Sequence, residues 1–222
     1  MKQEPIAVIF DFDGLLVDTE NAEYLAWNWL FEEQGSALSV DVWKEAVGYN
    51  GRVDPRALLE KAIGKSLNWE LLDSKRHQYY MSLVETLPSL PGAEMLMQTC
   101  FDRGLKVGIA SNSSSEWVKN GLARVGLSRY VHVMATRDEV QHSKPHPDVY
   151  HLALSKLDAD AAGTVAFEDS EPGVRAATAA GITVVAVPTR FTRLQDLSPA
   201  KLQVKSLNEI SWEVLTALIA GN

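Results

Sequence analysis

A chain with one cysteine cannot close an internal disulfide, and Cys100 is the only one here. Its surroundings, Met97-Gln98-Thr99-Cys100-Phe101, read as a buried helical face, so Cys100 is expected to pack in a reducing compartment rather than act as a nucleophile. Long apolar runs are also missing, and nothing approaches the length of a transmembrane helix. The first run, Ile6 to Phe10, is too short for a signal-peptide core and is closed by Asp11 and Asp13, so a cytoplasmic protein with no membrane partner is expected. Positive charge is scarce: 21 Lys and Arg face 29 Asp and Glu, a formal charge of -8. Nucleic acid is therefore not an expected partner, because its phosphates need clustered Lys and Arg. Internal repeats and low-complexity stretches are absent too, which leaves no sign of a solenoid or a disordered tract.

What is present is an ordinary globular composition, 222 residues with 46% hydrophobic and 23% charged, enough to bury an apolar interior without disulfides or metals. The acidic balance sets one condition. If the ligand is an anion, positive charge must be concentrated locally by a metal or by a few Lys, Arg and backbone amides.

Short apolar or β-branched runs at Ile6 to Phe10, Lys106 to Ala110, His132 to Ala135, Thr164 to Phe167 and Ile182 to Val187 alternate with helical patterns. That alternation predicts an α/β class with a parallel sheet covered by helices on both faces. Trp117, Gly121, Leu122 and Val125 have helical spacing, with Gly126 as a stop; Ser170 before Glu171-Pro172 opens a later helix that Gly181 closes. From Glu20 to Leu87 no β-branched run occurs, while Tyr24, Trp27, Leu30 and Phe31 recur at helical spacing. This predicts a helical insert over 20–87, with Trp27 and Trp29 in its core, and an α/β core formed by 1–19 and 88–222. Pro88 and Pro91-Gly92 punctuate the return.

Asp11-Phe12-Asp13-Gly14 directly follows the first strand, at the carboxyl end where open α/β sheets bind ligands. In extended backbone, residues two apart project to one side, so Asp11 and Asp13 can face one reaction centre, and Gly14 permits the turn. Taken alone, the pattern fits a pair of solvated acids equally well. Ser111-Asn112 ends the second strand and Glu168-Asp169 the fourth. Individually these read as a helix cap and as the acidic start of a helix. Lys144 precedes Pro145-His146-Pro147, whose restricted backbone aims its ammonium, although a solvated surface lysine is the plain alternative. Taken together and in this order, an acid, a hydroxyl, a lysine and an acid pair at strand ends are not readily assigned to chance. None of His77, His132, His142, His146 and His151 has metal-ligand spacing, and they are expected to be structural or solvent-facing.

These four segments resemble the haloacid dehalogenase superfamily, in particular its phosphatases and phosphomutases with a helical cap inserted after the first motif. Asp11 to Glu20 resembles the first motif, Ser111-Asn112 the second, Lys144-Pro145 the third, and Glu168-Asp169-Ser170 with Gly173 the fourth. The resemblance implies a Rossmann-like core, a mobile cap and a small-molecule phosphate ester as substrate, in a monomer or weak homo-oligomer. It also implies Mg²⁺ as cofactor, held by the Asp11 carboxylate, the Asp13 main-chain carbonyl and Asp169, with Glu168 acting through water. Asp11 would be the nucleophile and Asp13 the general acid and then base. Ser111, Asn112 and Lys144 would bind phosphate, and Glu20 and Arg52 the substrate. A second acid suits phosphate esters rather than haloacids, whose cleavage needs no protonated alkoxide. Response-regulator receivers share the Asp, hydroxyl and Lys set, but their phosphoacceptor follows a later strand.

A phosphatase is expected, acting on a sugar phosphate or phosphoglycolate, with β-phosphoglucomutase as the alternative. The mutase carries a histidine ten residues after its protonating aspartate, where this chain has Glu23. Its cap arginine has only an out-of-register counterpart in Arg52, within Gly48-Tyr49-Asn50-Gly51-Arg52, which fits a surface charge equally well. Glu23 is left between a substrate hydroxyl, Arg52 and the cap hinge. A non-catalytic phosphate-binding module is the third reading.

Overall fold

The computed structural model describes residues 6–46 and 54–220. The chain separates into two compact units, Met1–Val17 with Pro88–Asn222, and Asp18–Leu87.

The first unit is built on a parallel sheet of β1 (Ala7–Phe10), β2 (Lys106–Ala110), β3 (Val133–Ala135), β4 (Thr164–Glu168), β5 (Thr183–Ala186) and β6 (Leu202–Gln203), in the order β3-β2-β1-β4-β5-β6. This Rossmann-like α/β architecture is the one the alternating pattern predicts. Every residue of β1 and β4 is buried, as parallel strands covered on both faces must be. Because the order runs outward both ways from β1 and β4, a crevice opens beyond their carboxyl ends. Register decides what lies there. Phe10 pairs with Phe167 and Ile109, and the Phe10 and Phe167 rings stack at 4.8 Å between centroids. The next residues on the strands, Asp11 and Glu168, are therefore neighbours, and the Asp11 amide extends the ladder by donating to the Phe167 carbonyl at 3.0 Å.

β6 is the strand that the apolar runs did not predict. Its two residues carry no β-branched run and are extended because they pair with Val185 and Ala186. Cys100 lies fully buried, and burial pushes its thiol up to about 12, as a packing residue should be.

The second unit is helical: α1 (Thr19–Glu33), α2 (Val40–Ala46), α3 (Pro55–Ile63) and α4 (Trp69–Val84). Asp18 caps α1 by accepting from the Asn21 amide at 3.2 Å, and Asp54 caps α3 ahead of Pro55. Tyr24, Trp27, Leu30 and Phe31 form the buried face of α1, while Trp29 is half-buried beside Tyr79. Glu23 is engaged inside this unit. It accepts from Arg76 at 2.7 Å and Trp27 at 3.0 Å, and the Arg76 guanidinium lies 4.6 Å from the centre of the Trp27 ring.

The remaining helices of the first unit are α5 (Ala93–Asp102), α6 (Ser115–Arg124), α7 (Asp148–Leu157), α8 (Glu171–Ala179) and α9 (Trp212–Ala220). Ser114 caps α6 and Gly126, at φ +75°, follows its end; Ser170 precedes α8, whose first amide is satisfied by Gln195 at 2.8 Å.

Candidate active site

At the carboxyl ends of β1, β2 and β4 a lysine is sealed among oxygens. Lys144 Nζ donates to Asp11 Oδ1 at 2.5 Å, to Glu168 Oε1 at 2.6 Å and to the Ala110 carbonyl at 2.8 Å. Only 5% of Lys144, 6% of Asp11 and none of Glu168 is exposed. The segment carrying Lys144 is fixed by its main chain, for the Lys144 amide donates to Asn112 Oδ1 at 2.9 Å and the Lys144-Pro145 bond is cis. Asn112, expected on phosphate, thus holds the lysine's backbone. Ser111 is buried, and its hydroxyl accepts the Ser113 amide at 3.0 Å.

Burial drives the electrostatics. Desolvation raises the Asp11 carboxyl, Lys144 pulls it back, Glu168 and Asp13 raise it again, and the result stands at about 8. Burial alone would depress the Lys144 ammonium, but Asp11 and Glu168 outweigh it and hold it charged. One ammonium thus serves several carboxylates, and the centre is short of positive charge.

That shortage is what a hard divalent cation would fill. Carboxylate oxygens of Asp11, Glu168 and Asp169 lie within 4.8 Å of one another, all three residues buried. Glu168 Oε2 has no hydrogen-bond partner among the described residues, an orphan that buried carboxylates rarely leave. An all-oxygen set of this kind fits Mg²⁺ better than a thiolate- or imidazole-seeking metal.

Asp13 is placed by different contacts. Ser113 Oγ donates to its Oδ2 at 2.6 Å and Trp117 Nε1 to its Oδ1 at 2.9 Å. Glu168 is likewise held by a residue outside the motifs, since the Tyr150 hydroxyl donates to Oε1. Sequence reasoning missed Ser113, Trp117 and Tyr150. Trp117 was visible only as part of a helical face, and the usable signal for Tyr150 was that a buried tyrosine hydroxyl needs a partner.

The structure thus brings Asp11, Lys144 and Glu168 into direct contact, with Asp169 beside them. Glu20 lies in the first turn of α1, in the helical unit, and Arg52 lies outside the described residues.

A model of haloacid dehalogenase-like hydrolases matches residues 8–187, spanning all four segments. The chain belongs to that family. Bacillus subtilis YhcW is 41% identical over 94% of this chain and 95% of its own. The Thermotoga maritima phosphorylated carbohydrates phosphatase is 31% identical over 79% of this chain and 82% of its own. Among solved structures, a haloacid dehalogenase family hydrolase from Deinococcus radiodurans, with bound phosphate and sodium, superposes with a TM-score of 0.83 at 25% identity, covering 97% of this chain and 98% of that one. Among the described residues no helix is long and apolar enough to cross a membrane.

Proposed function

We propose that this hydrolase-family member is a Mg²⁺-dependent phosphatase of small phosphorylated metabolites, of sugar phosphate or phosphoglycolate type, working through an aspartyl phosphate on Asp11. The observation that carries the reading is the Lys144 ammonium bonded to both Asp11 and Glu168, with Asp169 alongside, in a centre whose acids outnumber its cations. Asp11, Asp169 and the Asp13 carbonyl, with Glu168 nearby, would hold Mg²⁺, which when bound would supply positive charge to offset that of a phosphate.

Lys144 orients Asp11 and offsets repulsion between its carboxylate and an incoming phosphate dianion, while Ser111 and nearby amides bind phosphate oxygens. Asp11 attacks phosphorus. A new P–O bond forms to Asp11 as the ester P–O bond breaks, and Asp13 gives its proton to the departing oxygen. Asp13, now an anion, takes a proton from water, which attacks the aspartyl phosphate and frees Asp11 and inorganic phosphate.

The Glu23–Arg76 pair supports hydrolysis over mutase chemistry, because the position that carries a histidine in β-phosphoglucomutase holds an acid already occupied within its own unit. Two assays test the proposal. Hydrolysis of p-nitrophenyl phosphate is expected to require Mg²⁺ and to vanish in Asp11→Asn; activity indifferent to both EDTA and that substitution would refute it. With β-glucose 1-phosphate and a trace of the 1,6-bisphosphate, release of inorganic phosphate is expected to exceed formation of glucose 6-phosphate, and the reverse would favour the mutase.

A further inference from the structure

The second acid of a DxD pair must point at the departing oxygen, and the contacts that orient its side chain here reach it from a distant part of the chain. The loop fixes the backbone: Gly14 takes φ +82°, its amide donates to the Val17 carbonyl at 2.8 Å, and the Leu16 amide closes on Phe12 at 3.0 Å. The half-buried Asp13 carboxylate is gripped from far along the chain, one oxygen by Ser113 and the other by Trp117.

This grip depends on how closely α6 approaches. Trp117 and Gly121 lie one turn apart on the same helical face. A Cβ on Gly121 would stand 2.3 Å from Phe12 Cζ, so the missing side chain lets α6 settle on the ring of Phe12. Trp117 then reaches the next residue of that loop. Two anchors, one on each oxygen, restrict the rotamer of Asp13, where a carboxylate left to water would sample several. Ser113 and Trp117 differ in kind: the indole only donates, whereas the hydroxyl can donate or accept and so can follow either form of the acid.

We propose that Ser113 and Trp117 are positioning residues for Asp13, holding its carboxyl toward the departing oxygen during cleavage of the phosphate ester. The inference rests on the phosphatase reading above and adds two residues to it.

The test uses the full chain with Mg²⁺ and aryl phosphates of similar size, from p-nitrophenyl through phenyl to p-methoxyphenyl. The p-nitrophenolate leaves unaided, whereas the poorer leaving groups need the proton. Because kcat/KM covers only the steps through their departure, it isolates the acid role from the later base role. Ser113→Ala and Trp117→Phe are expected to lose about ten- to a hundred-fold in kcat/KM on phenyl and p-methoxyphenyl phosphate, part of the ~10²–10⁴ that a positioned acid supplies. On p-nitrophenyl phosphate they should change less than about threefold, and Ser113→Thr, which keeps the hydroxyl, should restore the wild-type dependence on leaving group. Equal losses on every substrate would mark a merely structural role and overturn the proposal, as would no loss on any. A wild type that turns over none of these esters, or an Asp11→Asn variant as active as wild type, would instead fell the phosphatase reading itself.

Discussion

Gly173→Ala adds one methyl group where the structure leaves no room for it. A Cβ there would stand 1.9 Å from Glu168 Oε2, 2.1 Å from Cδ and 2.3 Å from Oε1. The carboxylate cannot step aside, because it is fully buried and its Oε1 already accepts from Lys144 and Tyr150. Overpacking of this kind costs ~1–3 kcal/mol. Breaking a buried charge pair costs ~3–5 kcal/mol, of which only a part is lost if Glu168 shifts without leaving Lys144. Against this, alanine gains at most ~1 kcal/mol in helix propensity, and less in the first turn of α8. The net expectation is ~2–5 kcal/mol of destabilisation. For a chain of this size that corresponds to a fall in Tm of ~4–20 °C. Calorimetric melting in EDTA measures the fall, and isothermal titration with Mg²⁺ should show weaker binding. A variant that melts with the wild type and binds Mg²⁺ as tightly would refute the premise that Glu168 is immobilised between Lys144 and α8.

Two further outcomes follow from the same centre. Lys144→Met removes the ammonium between Asp11 and Glu168, so turnover of p-nitrophenyl phosphate should be lost and stability should fall by ~3–5 kcal/mol, read from denaturant unfolding; a fully active variant would contradict the assignment. The Asp11 carboxyl, raised by burial from 3.8 to about 8, favours the folded protein in its neutral form. In metal-free protein that contribution is complete below the unfolded value and disappears as pH rises through about 8, so urea midpoints should decline over that window. Mg²⁺ added at neutral pH should then expel a proton, detectable in weakly buffered solution, and the release should fade once pH exceeds that value. Binding without proton release would show that Asp11 is not a ligand.

The sheet and the acids at its strand ends were legible because both depend on local pattern. Buried parallel strands read as apolar runs, and a residue at or just past a strand's end is placed by the register of that strand, as Glu168 and Asp11 are. Contacts between separate segments, 18 to 104 residues apart, left no such trace. Trp117 meets Asp13 because α6 packs on Phe12, Ser113 meets it from the turn that follows β2, and Tyr150 meets Glu168 because α7 lies against the sheet. Asn112 was legible as a residue at the site but not in its contact, since nothing in Ser111-Asn112 announces that its amide reaches the Lys144 backbone. The two residues of β6 owe their conformation to a neighbour, and no propensity of their own predicts it.

Val17 bridges to Ser89, and the Leu90 amide donates to the Leu16 carbonyl at 2.8 Å. Residues 18–87 therefore depart and return at one spot, an excursion whose neck is stitched shut. Doubling or halving such an excursion alters its closure entropy by only ~0.6 kcal/mol. The parallel sheet is therefore complete without those residues, and the length of that excursion can change while the strand ends carrying Asp11 and Glu168 keep their register.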